Sequence, residues 1–319
     1  METIWKIGTR DSQLAMWQAN WVKDLLFKKG IQSQLFPVKS EGDIDLVTPL
    51  YEMGVQGIFT KTLDIAMLKG DIDIAVHSMK DVPTQLPKGI IQVAVLPRAN
   101  FGDVLVLNDQ LQNNLCNTAI GNAEDIYHQT ISLTIATSSV RRRAQWLNRF
   151  PNHSLESLRG NVNSRLKKVY ESKWNGAIFA KAGLERIGVL PSNSIDIKWM
   201  LPAPAQGAVV VVVKEGNHEL VKLVQQLNDP STALCTKIER DFLRTLMGGC
   251  TTPISALAQV KGETVEFVGQ LMSLDGTEKI EVVKSLPLSK SENIGLEAGL
   301  EILENGGAPI IEKIKNGVK

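Results

Sequence analysis

This sequence predicts an α/β protein of two lobes followed by a smaller α+β unit. Three observations carry that expectation. The chain has 319 residues, two or three domains at roughly 100–200 residues each. Up to residue 224, short apolar runs alternate with segments whose apolar residues recur at helical spacing, the rhythm of open α/β sheets. From residue 225 onward the pattern changes to one long helix, three strand-like runs and a closing helix.

Thr3–Gly8 reads as a strand. Thr9-Arg10-Asp11-Ser12 offers N-cap residues, and Leu14, Trp17, Trp21 and Leu25 follow at helical spacing. Ile31–Val38 reads as a strand and Ile58–Leu68 as a helix. Asp71–Val76 alternates polar and apolar, a strand that ends at His77-Ser78-Met79-Lys80-Asp81, and Ile90–Leu96 is another strand. Around Phe101-Gly102-Asp103 the chain enters a second unit, with strands at Val104–Leu107 and Thr134–Thr137. Ser138 or Ser139 then caps a helix carrying Val140, Ala144 and Leu147. Strand Ser154–Leu158, turn Arg159-Gly160-Asn161, helix Val162–Tyr170 and strand Gly176–Ala180 follow. Ala208–Val213 reads as a fully buried strand. A two-lobed protein often crosses its hinge more than once, so this strand is a candidate to return to the first unit. Thr232–Leu246 is a helix stopped by Gly248-Gly249. The strands Ile254–Val260, Thr264–Ser273 and Lys279–Leu286 come next, then a helix over Glu292–Asn305. The expected domains are 1–100 with 204–224, 101–203, and 225–319.

Composition narrows the function. Lys plus Arg is 35 and Asp plus Glu is 34, a net charge of +1, which excludes a chain-wide basic surface for nucleic acid. With 22% charged and 43% hydrophobic residues the chain is not disordered. Three cysteines without CxxC spacing, Cys116, Cys235 and Cys250, make neither a disulfide framework nor a four-cysteine zinc site. The run Ala208–Val213 is far short of the ~20 residues of a membrane span. Met1–Lys6 lacks a signal-peptide layout. The expectation is a cytoplasmic protein without membrane, nucleic-acid or metal partners.

The arginines are the most informative residues. Arg10 lies between a strand and a helix, as do Arg141, Arg142 and Arg143; Arg159 closes a strand and Arg165 opens a helix. Arginine at a helix start opposes the macrodipole. Its repetition at strand-to-helix junctions points to anion sites made of guanidinium forks and backbone N–H groups. Such junctions are where open α/β sheets bind ligands. Neither GxxxxGK[ST] nor a GxGxxG after the first strand is present, so a polycarboxylate fits better than a nucleotide. Asp81 follows a strand in the same crevice and suits stabilisation of a cation or a proton shuttle; the bland alternative is a turn aspartate. His77 reads as a packed histidine. Cys250, between Gly248-Gly249 and Thr251-Thr252-Pro253, has the fixed, exposed turn of a derivatised thiol, whereas Cys116 and Cys235 read as apolar fillers.

Five segments together resemble the porphobilinogen deaminase family. They are Gly8-Thr9-Arg10-Asp11-Ser12, Asp73-Ile74-Ala75-Val76-His77-Ser78-Met79-Lys80-Asp81-Val82-Pro83, Thr137-Ser138-Ser139-Val140-Arg141-Arg142, Leu158-Arg159-Gly160-Asn161-Val162-Asn163-Ser164-Arg165-Leu166 and Gly248-Gly249-Cys250. They occur in order along nearly the whole chain. The resemblance implies two lobes like those of periplasmic binding proteins, each a doubly wound α/β sheet, and a third, α+β domain with a three-stranded sheet. It implies an enzyme of tetrapyrrole synthesis, a transferase that joins four porphobilinogen molecules head to tail with loss of ammonia. Growth starts on a dipyrromethane cofactor, and hydrolysis releases hydroxymethylbilane. By motif match Asp81 is catalytic. Cys250 carries the cofactor through a thioether, with Lys80, Arg141, Arg142, Ser139 and Lys61 around it. Arg10, Ser12, Arg159, Arg165, Arg186 and Gln206 bind substrate. The implied protein is a monomer whose partner is the small molecule porphobilinogen.

The chain departs from the family pattern at three places. Val55-Gln56-Gly57 stands where Gly-Lys-Gly is usual, Ala205 where Gly precedes the Gln-Gly pair, and Met247 where an acidic residue precedes the Gly-Gly-Cys turn. Two other readings are a non-catalytic binding protein on the same frame and a thiol hydrolase pairing Cys250 with His77.

Overall fold

In the computed structural model, residues 3–38, 60–108, 132–247 and 251–317 are described. Strands β1 (Trp5–Arg10), β2 (Ser33–Val38), β3 (Ile74–Ser78), β4 (Ile90–Val95) and β10 (Val209–Lys214) form one sheet in the order β2-β1-β3-β10-β4. Strands β5 (Asp103–Leu107), β6 (Thr134–Ala136), β7 (Ser154–Glu156), β8 (Gly176–Ala180) and β9 (Ser194–Asp196) form a second, ordered β7-β6-β8-β5-β9. The two sheets share one plan. In each, three parallel strands are followed by an antiparallel one that the chain enters from the other lobe: β10 lies between β3 and β4, and β5 between β8 and β9. The strand at residues 209–214 thus does return to the first unit.

Both faces of each sheet are covered. Helix α1 (Gln13–Phe27) and helix α6 (His218–Gln225) pack Ala19, Val22, Leu26, Leu220 and Val224 against Ile7, Val76 and Val211. Helix α2 (Lys61–Lys69) packs Leu63 and Met67 against Ala75, Val210 and Val212 on the opposite face. In the second lobe, α4 (Val162–Glu171) and α5 (Lys181–Arg186) cover Val104, Val106 and Phe179, while Trp146 of α3 (Val140–Arg149) covers Leu105, Ile135 and Ile178. Alternate side chains of β5 and β10 feed different cores, which is why these strands are apolar without a break.

The two crossovers between the lobes lie side by side. Leu96 donates its N–H to Val209 O at 2.9 Å and Ala99 donates to Gly207 O at 3.1 Å. Gly207 has φ 87°, and a Cβ there would stand 2.8 Å from Ala99 O; only glycine allows this approach.

The third unit packs α7 (Pro230–Thr245), α8 (Ile294–Ile302) and α9 (Ala308–Gly317) on the meander β11 (Ile254–Lys261), β12 (Thr264–Met272) and β13 (Lys279–Pro287). Pro230 opens α7 and Asp229 caps it, accepting from Thr232 N at 2.7 Å. Phe242 and Phe267 meet edge to face in this core, 5.3 Å apart.

Several expected elements shift. The buried stripe of α1 is Ala15, Gln18, Ala19, Val22 and Leu26; of the expected residues, Trp21 and Leu25 pack half-buried against the same core, and Trp17 is exposed. The strand expected at Asp71–Val76 runs Ile74–Ser78 and is buried along Ile74–His77 rather than alternating. Helix α3 buries Ala144 as expected, and with it Trp146, Arg141, Arg142 and Gln145, while Leu147 is half-buried; a buried carboxylate receives the arginines. The helix expected to end at Asn305 breaks instead over Leu303–Gly307, with Gly306 at φ 99°, and restarts as α9, whose Ile310, Ile311 and Ile314 are buried. Pro309 suits the first turn of that restart. Strand β9 and helices α5, α6 and α9 were not expected. Ile58, Val55-Gln56-Gly57, Cys116 and the Gly248-Gly249 stop lie outside the described residues.

Candidate active site

Helices α1, α3 and α4 all begin at one cleft between the lobes. Ser12 caps α1, accepting from Ala15 N at 3.4 Å; Ser139 caps α3, accepting from Arg142 N at 3.4 Å; Asn161 caps α4, accepting from Ser164 N at 2.9 Å. None of these helices has an acidic residue in its first turn. Their positive ends therefore add to the arginines around them. The cleft holds about 420 Å³, within the ~300–1,000 Å³ of common small-ligand pockets.

Arg10, Ser12, Lys80, Asp81, Ser139, Arg141, Arg142, Arg159, Arg165, Arg186 and Gln206 all line it. Lys61 does not: it is exposed in the first turn of α2, off the cleft wall. Cys250 lies outside the described residues, but Thr252, two residues on, lines the cleft together with Leu243 and Ile254 of the third unit.

Lys80 and Asp81 sit in a short turn, Met79–Asp81, that continues β3. Both side chains reach into the cleft. The surrounding cleft walls push the ammonium of Lys80 below its ordinary value although the residue is exposed; Asp81 beside it works the other way, and Arg142 adds to the fall. Lys80 Nζ is 3.5 Å from Gln206 Oε1. Arg165, on the other lobe, is pushed down to about 10 by burial and by Arg142, while the charge of Asp81 pulls it back up. Asp81 therefore acts on cations of both lobes.

One determinant escaped the sequence reading. Asp103 is fully buried at the start of β5, and its two oxygens accept from Arg141 Nη2 and Arg142 Nη2, each at 2.7 Å. Burial alone would raise its pKa, but the two guanidinium groups outweigh it and hold the carboxyl well below the usual range. Arg141 also donates to Leu201 O at 2.7 Å and Arg142 to Ile178 O at 2.9 Å. These two arginines thus brace the cleft wall as well as charging it. Gln206 Nε2 donates to Asp103 Oδ1 at 2.9 Å and to Phe101 O at 2.8 Å, tying one crossover to the other. The available signal was a charge opening the apolar run Asp103–Leu107.

A second missed pair holds the third unit to the hinge. The fully buried Glu239 of α7 accepts from Arg98 Nη1 at 2.5 Å, Arg98 Nη2 at 3.0 Å, Ala205 N at 2.6 Å and Ala258 N at 2.8 Å. Ala205 has φ 61° and Met247 φ 47°, the two non-glycine residues at positive φ among those described. Both are places where the chain departs from the family pattern. A side chain in this left-handed region costs roughly 1 kcal/mol relative to glycine, and the Glu239 bond helps to hold Ala205 there.

His77 is buried in β3 and is not on the cleft wall. Burial, then Arg10, pushes it down to about 4, so it stays neutral. It stands in no position to serve a thiol in the cleft, which weighs against the hydrolase reading. Among the described residues, no cluster of His, Cys, Asp and Glu could hold a metal, and no helix is long and apolar enough to cross a membrane.

The Lys80 environment has a measurable consequence. Its ammonium is held below the ordinary lysine value, and an anionic ligand in the cleft favours the charged form. Binding of a polycarboxylate ligand at alkaline pH is expected to take up protons, seen calorimetrically as a dependence of the binding heat on buffer ionisation enthalpy. Lys80→Arg, charged throughout, should abolish most of that uptake.

Two family models match. "Porphobilinogen deaminase, dipyromethane cofactor binding domain" matches residues 5–222, and "Porphobilinogen deaminase, C-terminal domain" matches residues 233–304. Among curated relatives, the chain is 37% identical over 315 residues to the porphobilinogen deaminase of Desulforamulus reducens, covering 98% of each chain. It is 36% identical to that of Geobacter sulfurreducens, covering 97% of this chain and 94% of the relative. Among solved structures, the chain is similar to the periplasmic VFT2 domain of BvgS from Bordetella pertussis (TM-score 0.38, 10% identity, 70% of this chain and 86% of that one). It is also similar to an ancestral cyclohexadienyl dehydratase (TM-score 0.36, 14% identity, 70% and 84%).

Proposed function

The chain belongs to the porphobilinogen deaminase family, and from that premise we propose that Asp81 is its catalytic carboxylate, Cys250 its cofactor attachment point and the cleft cations its carboxylate receptors. The family activity is that of a deaminating transferase, which polymerises porphobilinogen for tetrapyrrole synthesis and carries a dipyrromethane cofactor. One observation carries the residue assignment: the carboxylate of Asp81 stands in a cleft whose other charges are cations of both lobes, its own charge felt by Lys80 and Arg165 alike.

The residues fit the cofactor. Each pyrrole ring brings two carboxylates, and the buried Nε of Arg165 has no hydrogen-bond partner in the protein, a donor left over for an anion. Lys80, Ser139, Arg141 and Arg142 would hold the dipyrromethane, and Thr252 brings the segment that follows Cys250 to the same wall. When bound, the group supplies the nucleophilic pyrrole carbon on which the chain grows.

Arg10, Ser12, Arg159, Arg165 and Arg186 bind the acetate and propionate groups of substrate and orient its ring; Gln206, assigned to substrate by family pattern, has its amide hydrogens on Phe101 O and Asp103 Oδ1 and supports the wall behind them. Burial and the neighbouring arginines make the cleft strongly positive, which opposes the cation formed as substrate loses ammonia. Asp81 offsets that field at the reacting ring and holds a proton when one must be moved. Lys61 lies away from the wall, so its part in cofactor binding has the weakest support. The same reading divides the chain into 1–100 with 204–224, 101–203, and 225–319, and takes it to be a cytoplasmic monomer acting on a small molecule.

The test is elongation by arginine variants. Arg159→Leu and Arg165→Leu should fold and stall at different chain lengths, because each lost charged hydrogen bond costs about 1.5–3 kcal/mol only when a carboxylate occupies that place. Native mass spectrometry after limiting substrate would show the stalled species. Parental elongation by both variants would remove the anion-site reading.

A further inference from the structure

Arg240 lies on α7, in the third unit, yet its guanidinium reaches the turn that carries Lys80 and Asp81. Nη1 donates to Val82 O at 2.8 Å and to Met79 O at 3.3 Å, and Nη2 donates to Pro83 O at 2.5 Å. These three carbonyls bracket the Lys80-Asp81 pair on both sides. From the other direction the turn is held by Met79 N, which donates to Ala208 O at 3.0 Å. A turn of only three residues has few bonds of its own to fix it; Val82 N to Met79 O, at 3.2 Å, is the one that closes it. The guanidinium fork therefore supplies most of the order on the carbonyl side. A planar group with fixed donors does this where a lysine would reach one carbonyl at a time.

Helix α7 is itself anchored. Glu239, the residue before Arg240, is bonded to the hinge at Ala205 and to the β-meander at Ala258. The same helix runs on to Thr245, five residues before Cys250 in the sequence. One rigid element thus leads to the cofactor-bearing segment at its end and grips the Asp81 turn at its middle. We infer that Arg240 is a positioning residue for the reaction: it sets the Asp81 turn relative to the third unit, so that the carboxylate meets the ring presented from Cys250. Arg240 does not itself line the cleft, whereas the Val82 and Pro83 it grips do, so it acts through the turn.

The inference rests on Asp81 being the catalytic carboxylate, and a double-mutant cycle separates the two claims. The variants are Arg240→Gln, Asp81→Asn and the pair, each purified as cofactor-loaded enzyme verified by intact mass. Arg240→Gln is expected to lower kcat on the order of 10- to 100-fold, the scale of a small misplacement of a catalytic group, with KM for porphobilinogen within about threefold. Arg240→Lys should recover part of kcat. In the Asp81→Asn background, Arg240→Gln should lower kcat by no more than about twofold, because the group it positions is gone. Asn148→Ala removes a different bond to the third unit, Asn148 Nδ2 to Gly276 O at 2.7 Å, and should lower the melting temperature while kcat stays parental. An Arg240→Gln enzyme with parental kcat, or one slowed equally in both backgrounds, overturns the positioning role. A parental Asp81→Asn overturns the catalytic assignment instead.

Discussion

Cys250→Ser is expected to yield a folded protein without dipyrromethane and without turnover. A cysteine thiol with a pKa near ~8.5 is a few per cent thiolate at neutral pH, whereas a serine hydroxyl has essentially no anionic fraction. The carbon that must be trapped therefore meets a poor nucleophile. Intact mass should show the bare chain for Cys250→Ser and the two-ring increment for the parent. Cys235→Ser should keep the increment, because Cys235 is buried in the third core, with burial raising its thiol further. Cys116→Ser should keep it too. Melting should fall in the Cys250 variant through loss of the cofactor, since a group that binds only the folded state stabilises it. A fully modified, active Cys250→Ser enzyme would refute the assignment.

Asp81→Asn is expected to fold, to accept cofactor supplied as preformed chain, and to turn over at least ~10²-fold more slowly, the scale of removing one preorganised electrostatic stabiliser. Asparagine keeps size and hydrogen bonding and removes the charge. That charge opposes the field of Lys80 and Arg165, on which it acts directly. Asp81→Glu should retain more activity, with the charge present but displaced. Steady-state ammonia release on loaded variants measures both. Near-parental turnover by Asp81→Asn would leave Asp81 as a turn aspartate.

Asp81 and Cys250 were legible as candidates for different reasons, and each shows how far a sequence carries. Asp81 stands beside Lys80 after an apolar strand, and strand ends in α/β sheets are where ligands gather. Cys250 stands between two glycines and a threonine pair. The arginines were legible because they violate the helix dipole at several junctions, and the cleft collects Arg10, Arg141, Arg142, Arg159 and Arg165 together. The assignment of Lys61 came from family pattern alone, and α2 carries that residue away from the cleft wall.

Because period and caps are properties of neighbouring residues, local pattern determined most strands and the longer helices, but not β9, α5, α6 or α9. Gly176–Ala180 matches the expectation, and the three strands of the last unit agree to within a residue at either end. Which residues of α1 are buried was settled by tertiary packing: Ala15, Ala19, Val22 and Leu26 are buried while Trp17 is exposed. Only the tertiary structure decided the partners of the buried charges. Asp103 meets Arg141 and Arg142 from 38 and 39 residues away, Glu239 meets Arg98 from 141, and Arg240 reaches Val82 from 158. A charge is stable out of water only when an opposite charge or a set of dipoles is brought to it. That pairing is made by the path of the chain through both crossovers, and no local run of residues encodes it.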